Sequence, residues 1–276
     1  MHLRPSRRAA LLAAFCASLV CACGQATDVT QTTGAQIAAP QGLADPGSLT
    51  VAVPSDLPPY AHRGRAGSEG LAVDLGQAMA ARMGLKLAVV ALDPQDLAAA
   101  ARGGGVDVVL GTLESSPTAP APPDLALVSY VKEQTDFVVR QDSEYQPHQL
   151  SELCGREVAV VAGTPQQRLV DQAVGICGGA PPGAVTRTTD GAALQALREG
   201  TADVYLADSA TAAFYEARGG GVTTTGVKVG DTELAMGMRT GGTPLTDAIT
   251  RSFYLVHSDG TYEVLLQKWG MSAETL

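Results

Sequence analysis

The chain has 276 residues, with 19 Lys and Arg against 28 Asp and Glu, a formal charge of −9. Apolar residues make up 45% and aromatics 4%, beside 31 Gly, 16 Pro and five Cys. That apolar content excludes global disorder, the length suffices for two cored domains, and the acidic balance argues against a nucleic-acid partner, which calls for basic excess.

The first eight residues hold Arg4, Arg7 and Arg8 with no acid, and Ala9–Val20 is a run of 12 apolar or small residues. A basic head before a short apolar core describes a secretory signal, too short to span a membrane as a mature helix. Val20-Cys21-Ala22-Cys23-Gly24 resembles the bacterial lipoprotein signal, which implies that residues 1–22 are removed and Cys23 carries the lipid. Ala22 is the small residue such a site wants, whereas Cys21 follows bulky Val20. An ordinary secretory signal is the alternative, and Arg7-Arg8 leaves general secretory and twin-arginine export both open. Removing the three arginines leaves 16 basic residues against 28 acidic, a charge of −12. Residues 23–47 are short on large apolar side chains and read as a lipidated Cys and flexible linker. No later segment is apolar enough to span a membrane. Of the five Cys, Cys154 and Cys177 remain: in an exported protein they form one disulfide, or else stay as two buried thiols. His2, His62, His148 and His257 match no ligand spacing, so neither metal nor cofactor is expected.

Leu49–Val53 alternates and ends at Pro54, a strand. Leu71, Leu75, Met79 and Met83 recur every four residues up to Gly84, a helix. Leu85–Val90 is the next strand. Asp93 caps and Pro94 opens a helix over Gln95–Arg102, which stops at Gly103-Gly104-Gly105 before the strand Val106–Leu110. This β-α-β-α-β order implies a parallel sheet with right-handed crossovers. A second round follows: strand Val158–Val161, helix Gln166–Val174, helix Ala192–Arg198 opened by Asp190-Gly191, and strand Ala202–Leu206. Thr243-Pro244 starts a helix carrying Leu245, Ile249 and Phe253, and Thr261 caps a last one bearing Tyr262, Leu266 and Trp269. The pattern is α/β with two similar lobes.

Ligands of open parallel sheets bind beyond the carboxyl ends of the strands. That rule gathers Ser55, Asp56 and Tyr60 after the first strand and Gly111–Ser116 after the third. From the second lobe it gathers Gly163, Thr164, Ala207 and Asp208. Such a cleft suits a small polar solute held by hinge motion.

Across residues 48–270 the chain resembles family 3 of the extracellular solute-binding proteins, receptors that feed polar amino acids and related solutes to ABC importers. The motifs are PSDLPPY (54–60), GLAVDL (70–75), GVDVVLG (105–111), AGTPQQ (162–167), ADVYLADSATAA (202–213) and SDGTYEVLLQKWG (258–270). The last is the most specific. SELCGREVAV (151–160) with Cys177 also resembles an actinobacterial branch in which the two cysteines are bonded. The resemblance implies a two-lobed periplasmic-binding-protein-like type II fold, each lobe a parallel-dominated sheet flanked by helices. Lobe 1 is then residues 48–130 and 235–276, lobe 2 residues 131–234, and the crossings near Ser129–Glu133 and Gly230–Glu233 form the hinge. It further implies a monomer at the extracytoplasmic face of the cell membrane, anchored by lipid, with an ABC permease as partner.

On the same resemblance Asp208 grips a ligand ammonium group, Gly163-Thr164 and Ser116 offer donors to a carboxylate, and Tyr60 or neighbouring Leu57 supplies an aromatic wall. One departure stands out. The family's Thr-x-x-Arg after the third strand is Ser116-Pro117-Thr118-Ala119 here, without the Arg that forks onto a carboxylate. Ala72 replaces an expected acid, and Leu127 an expected Phe. Either Arg63 or Arg65 substitutes, or the ligand lacks the carboxylate and Glu114 joins Asp208 in holding a cationic or neutral solute. Two further readings keep the fold and change the role: a sensor or interaction lipoprotein, and a dehydratase-like enzyme using Glu114 and Asp208 as acid and base.

Overall fold

The computed structural model describes residues 35–115, 122–241 and 243–271. The signal 1–22, Cys23, the first part of the linker, Ser116 and Ala119 lie outside the described residues. Strand β1 (Ser48–Pro54) leads through a small hairpin, β2 (His62–Arg63) and β3 (Ser68–Glu69), into α1 (Leu71–Arg82), β4 (Lys86–Leu92), α2 (Pro94–Gly103) and β5 (Val108–Ser115). After β6 (Leu125–Arg140) come β7 (Glu157–Val161), α3 (Pro165–Cys177), β8 (Gly183–Arg187), α4 (Asp190–Arg198) and β9 (Val204–Asp208). Helix α5 (Ser209–Ala217), β10 (Val222–Arg239), α6 (Thr243–Ser258) and α7 (Thr261–Lys268) follow.

Eight strands make one sheet in the order β4-β1-β5-β10-β6-β9-β7-β8. Strand β1 is parallel to β4 and β5, and β7 to β8 and β9. The same β-α-β-α-β winding therefore occurs twice, once in each lobe, as right-handed crossovers require. Between them lie β6 and β10, antiparallel to each other and to the strands they flank. The expected two-lobed α/β fold is the fold observed.

In each lobe the inner parallel strands, β1 and β5 in one and β7 and β9 in the other, are buried on both faces. Their residues alternate with period two as such strands must, while the edge strands β4 and β8 are not buried. In lobe 1, Leu49, Val51 and Val53 of β1 face one cluster with Met79, Phe253 and Leu266, while Ala52 faces another with Leu97 and Ala101. In lobe 2, Tyr205 and Ala207 pack with Leu194 and Leu197, and Val204 and Leu206 with Phe137 and Val170. Each fully buried aliphatic or aromatic side chain stabilises by about 1.5–3 kcal/mol.

Strands β6 and β10, of 16 and 18 residues, are absent from the sequence reading. Their apolar alternation is interrupted by Lys132, Glu133, Asp231 and Glu233, where the chain passes from one lobe to the other. Here the ladder slips register, between Val229 and Asp231 and again between Leu234 and Ala235. Three helix starts also differ from expectation. Asp93 is the cap residue of α2, but its side chain bonds no helix N–H; its Oδ1 accepts instead from Ser55 Oγ at 3.0 Å. Thr189, not Asp190, caps α4, its Oγ1 accepting from Ala192 N, and Gly260 rather than Thr261 precedes α7.

The linker expected over 24–47 is packed where it is described. Gln36 and Ile37 donate backbone N–H groups to Arg82 O, the open carbonyl end of α1, at 2.8 and 2.9 Å. Ile37 joins the lobe 1 core, Leu43 packs against it, and Ala44 N bonds Asp107 Oδ1. The stretch's few large apolar side chains thus suffice to dock it once a helix end offers acceptors. At the other end of the chain, Trp269 Nε1 and Lys268 Nζ both donate to Asp74 Oδ2 of α1 at 2.7 Å. The most specific motif of the resemblance, with its KWG ending, therefore fastens the last helix to the GLAVDL helix.

Candidate functional site

The carboxyl ends of β1 and β5 in lobe 1 meet those of β7 and β9 in lobe 2, so most of the residues gathered by the strand-end rule share one region. Ser55 closes onto Asp93, its backbone N–H bonding Leu92 O at 2.7 Å. Asp56, half-buried, reaches across to α4: its Oδ2 accepts from Gly191 N at 3.0 Å, and its carbonyl from Asp190 N at 3.5 Å. Tyr60 is fully buried, and its hydroxyl donates to Glu133 Oε1 on β6. It is a core residue of lobe 1 rather than an open wall. Gly70, at φ 144°, makes this possible, since a Cβ there would overlap the Tyr60 carbonyl. Gly111 is also interior: its carbonyl accepts from Tyr130 Oη at 3.3 Å, and a Cβ would come within 2.7 Å of Leu97. Ser116 lies outside the described residues.

In lobe 2, Gly163 takes φ 76°, turns the chain into α3, and donates its N–H to Gln167 Oε1 at 2.8 Å. Thr164 occupies the N-cap of α3, yet its hydroxyl points back and donates to Val161 O at 2.8 Å. Asp208, buried at the end of β9, caps α5 without bonding it. Its Oδ1 instead accepts from Gln166 Nε2 at 2.6 Å, and the same amide group donates to Thr135 Oγ1 at 3.1 Å. Among the described residues no ion pair involves Asp208.

Glu114 does not join Asp208. It pairs with Arg168 on α3, so a carboxylate from lobe 1 and a guanidinium from lobe 2 meet across the cleft. Arg63 and Arg65 sit exposed on the β2–β3 hairpin. The cation facing the mouth is thus Arg168, from the opposite lobe. Gln166, Arg168 and Thr135 are site residues that the sequence reading missed. A signal was present: with Pro165 at the first helical position, Thr164 and Arg168 fall four apart on one face of α3.

The site is short of counter-charges, and burial dominates its titration. Burial pushes Asp208 up to about 6, against the Gln166 bond, which favours the anion. Asp190, fully buried at the first residue of α4, is raised to about 8 by burial, opposed by a hydrogen bond from Tyr205 and reinforced by the Asp208 and Asp56 carboxylates. Its Oδ2 has no hydrogen-bond partner. A carboxyl whose folded value lies above its unfolded value near 3.8 stabilises when protonated, so stability is highest on the acid side and falls as pH rises toward about 8. Asp208 adds the same slope up to about 6. Asp190→Asn keeps an oxygen for the Tyr205 hydroxyl and removes the ionisation. The variant's advantage over the wild type in urea midpoint should be smaller near pH 5 than near pH 8.5. Parallel pH profiles for the two proteins would contradict this assignment.

Among the described residues no three His, Cys, Asp or Glu side chains converge as a metal site, and no helix is long and apolar enough to cross a membrane. The sequence profile described as bacterial extracellular solute-binding proteins, family 3, matches residues 49–272. Among solved structures, a mutant of ArgBP from T. maritima superposes with a TM-score of 0.71 at 26% identity, covering 81% of this chain and 95% of that one. An ancestral arginine-binding protein bound to arginine gives 0.72 at 22% identity, covering 81% and 98%. The ancestral amino acid-binding protein AncCDT-1, a precursor of cyclohexadienyl dehydratase, gives 0.72 at 23%, covering 81% and 95%. Comparison with curated protein sequences finds no match.

Proposed function

The chain belongs to family 3 of the bacterial extracellular solute-binding proteins, and from that premise we propose that it is an extracytoplasmic, lipid-anchored receptor that closes on a small amine-bearing solute and hands it to an ABC importer. Asp208 carries this reading. It is a buried carboxylate whose hydrogen-bond donor is a neutral amide, Gln166, and a buried anion without a cation is costly until one arrives. The other acids of the region already have partners within the chain: Glu114 has Arg168, Asp56 the α4 N–H, Asp190 the Tyr205 hydroxyl and Glu133 that of Tyr60. One positive centre on the solute therefore balances the site. The arginine-bound and arginine-binding neighbours make cationic amino acids and their analogues the first solutes to try. The role is binding rather than chemistry, since each carboxyl is held by a partner and none is set against a nucleophile.

A thermal-shift screen of the protein with amino acids, amines, betaines and small peptides tests the reading. A solute at a hundred times its dissociation constant adds about 2.7 kcal/mol, a rise of about 5–10 °C for a domain pair this size. At least one compound with a primary ammonium or guanidinium group should give that rise without being consumed. Stabilisation by anions alone, or product formation, would overturn it.

A further inference from the structure

Of the two strands that end the sheet, β8 is guarded and β4 is not. Strand β8 has five residues, follows Pro181-Pro182 and closes on Arg187, features that discourage pairing with another chain. Strand β4 has seven, KLAVVAL, and is charged only at its first position. Its Val89 and Val90, each 36% exposed, are the only large apolar side chains exposed on any strand among the described residues. Lys86 N donates to Gly47 O and Leu92 O accepts from Ser55 N, so the even-numbered residues turn their backbone groups to β1. Leu87, Val89 and Ala91 turn theirs outward, where no described strand pairs with them.

We propose that β4 is a dimerisation edge, through which two copies of this chain pair antiparallel about a twofold axis at Val89. The register follows from the backbone groups that face out. A twofold perpendicular to the sheet sets one residue against its own copy. Only an axis at Val89 brings all three outward residues into hydrogen-bonded pairs: Leu87 with the partner's Ala91, Val89 with the partner's Val89, and Ala91 with the partner's Leu87. Each such pair exchanges two bonds, about six in all. In this register the strand is self-complementary. Ala88 meets the partner's Val90, and Lys86 meets the partner's Leu92, one residue from the partner's Asp93. The basic end of each strand therefore lies at the acidic end of the other, and no like charges oppose. Strand β4 is the outermost of lobe 1, on the far side from lobe 2 in the sheet order, so hinge and cleft stay clear. The dimer is independent of the receptor reading, and it replaces the monomer that the family resemblance implies.

Sedimentation of the full chain across a concentration series tests this. A single edge is a small interface, so the dimer should form at about 1–100 μM and dissociate on dilution. Val89→Lys sets two ammonium groups against each other at the axis and should weaken the dimer about a hundredfold or more. Val89→Thr keeps the β-branched shape and should weaken it by less than about tenfold. A second measurement reads the register. Under mild oxidation Val89→Cys should link to its own copy, judged against the wild type with its own cysteines. Ala91→Cys should not, because its two copies lie about 13 Å apart along the strands. A wild type that stays monomeric throughout that range would overturn the proposal. So would a dimer that Val89→Lys leaves intact, or linkage through Ala91→Cys as efficient as through Val89→Cys.

Discussion

Asp208→Asn is expected to weaken solute binding by about a hundredfold or more, measured by calorimetry with whichever compound the thermal screen selects. The asparagine carbonyl can still accept from Gln166, so the fold and the Gln166–Thr135 bond persist. What disappears is the charge, and removing one member of a buried, hydrogen-bonded ion pair costs about 2–5 kcal/mol. A pH signature accompanies it. Because burial raises Asp208 to about 6, the wild type should bind about tenfold more weakly at pH 5 than at pH 7.5, as protonation removes the anion. The asparagine variant should show no such step. Undiminished binding by the variant would remove Asp208 from the site.

Replacing both Cys154 and Cys177 with serine should lower stability by about 3 kcal/mol and Tm by about 6–12 °C. The bond joins the end of the short 3-10 turn before β7 to the last residue of α3, across 23 positions, with Cα atoms 5.3 Å apart. Closing that loop in the unfolded chain is the main source of the gain. It also fixes the carboxyl end of the helix whose other end carries Thr164, Gln166 and Arg168. Reductant should reproduce the drop in the wild type and leave the double variant unchanged. If reductant had no effect on the wild type, the thiols would be free.

Much of this is legible in the sequence because it is local. The repeated β-α-β-α-β winding follows from apolar runs punctuated by Pro54, Gly84 and Gly103, and Asp208 follows from an acid placed at the end of an apolar strand. The missed parts are those whose cause lies far along the chain. Strands β6 and β10 stabilise one another through a long antiparallel ladder, so their charged, irregular midsections carry no local strand signal. Arg168 looks like any exposed helix charge until β5 brings Glu114 to it. Asp93 reads as a cap because its position is right, but Ser55, just past the end of the neighbouring strand β1, supplies the partner. The linker's docking likewise needs the carbonyl end of α1, which the 35–47 sequence does not mention. Even the motifs that announce the family divide by role: AGTPQQ and LADS build the cleft, whereas Asp74 and KWG hold a lobe together.

That last clip sets an order of assembly. Asp74 and Trp269 are 195 positions apart, and Tyr262 Oη, on the same final helix, bonds the Tyr130 carbonyl in the lobe 1 core. The core of lobe 2, by contrast, draws on residues between Phe137 and Val229 alone. A chain synthesised amino end first therefore has everything needed for lobe 2 before lobe 1 can close. Until the final helix arrives, the first strands wait with an unfinished apolar face, and the cleft does not exist.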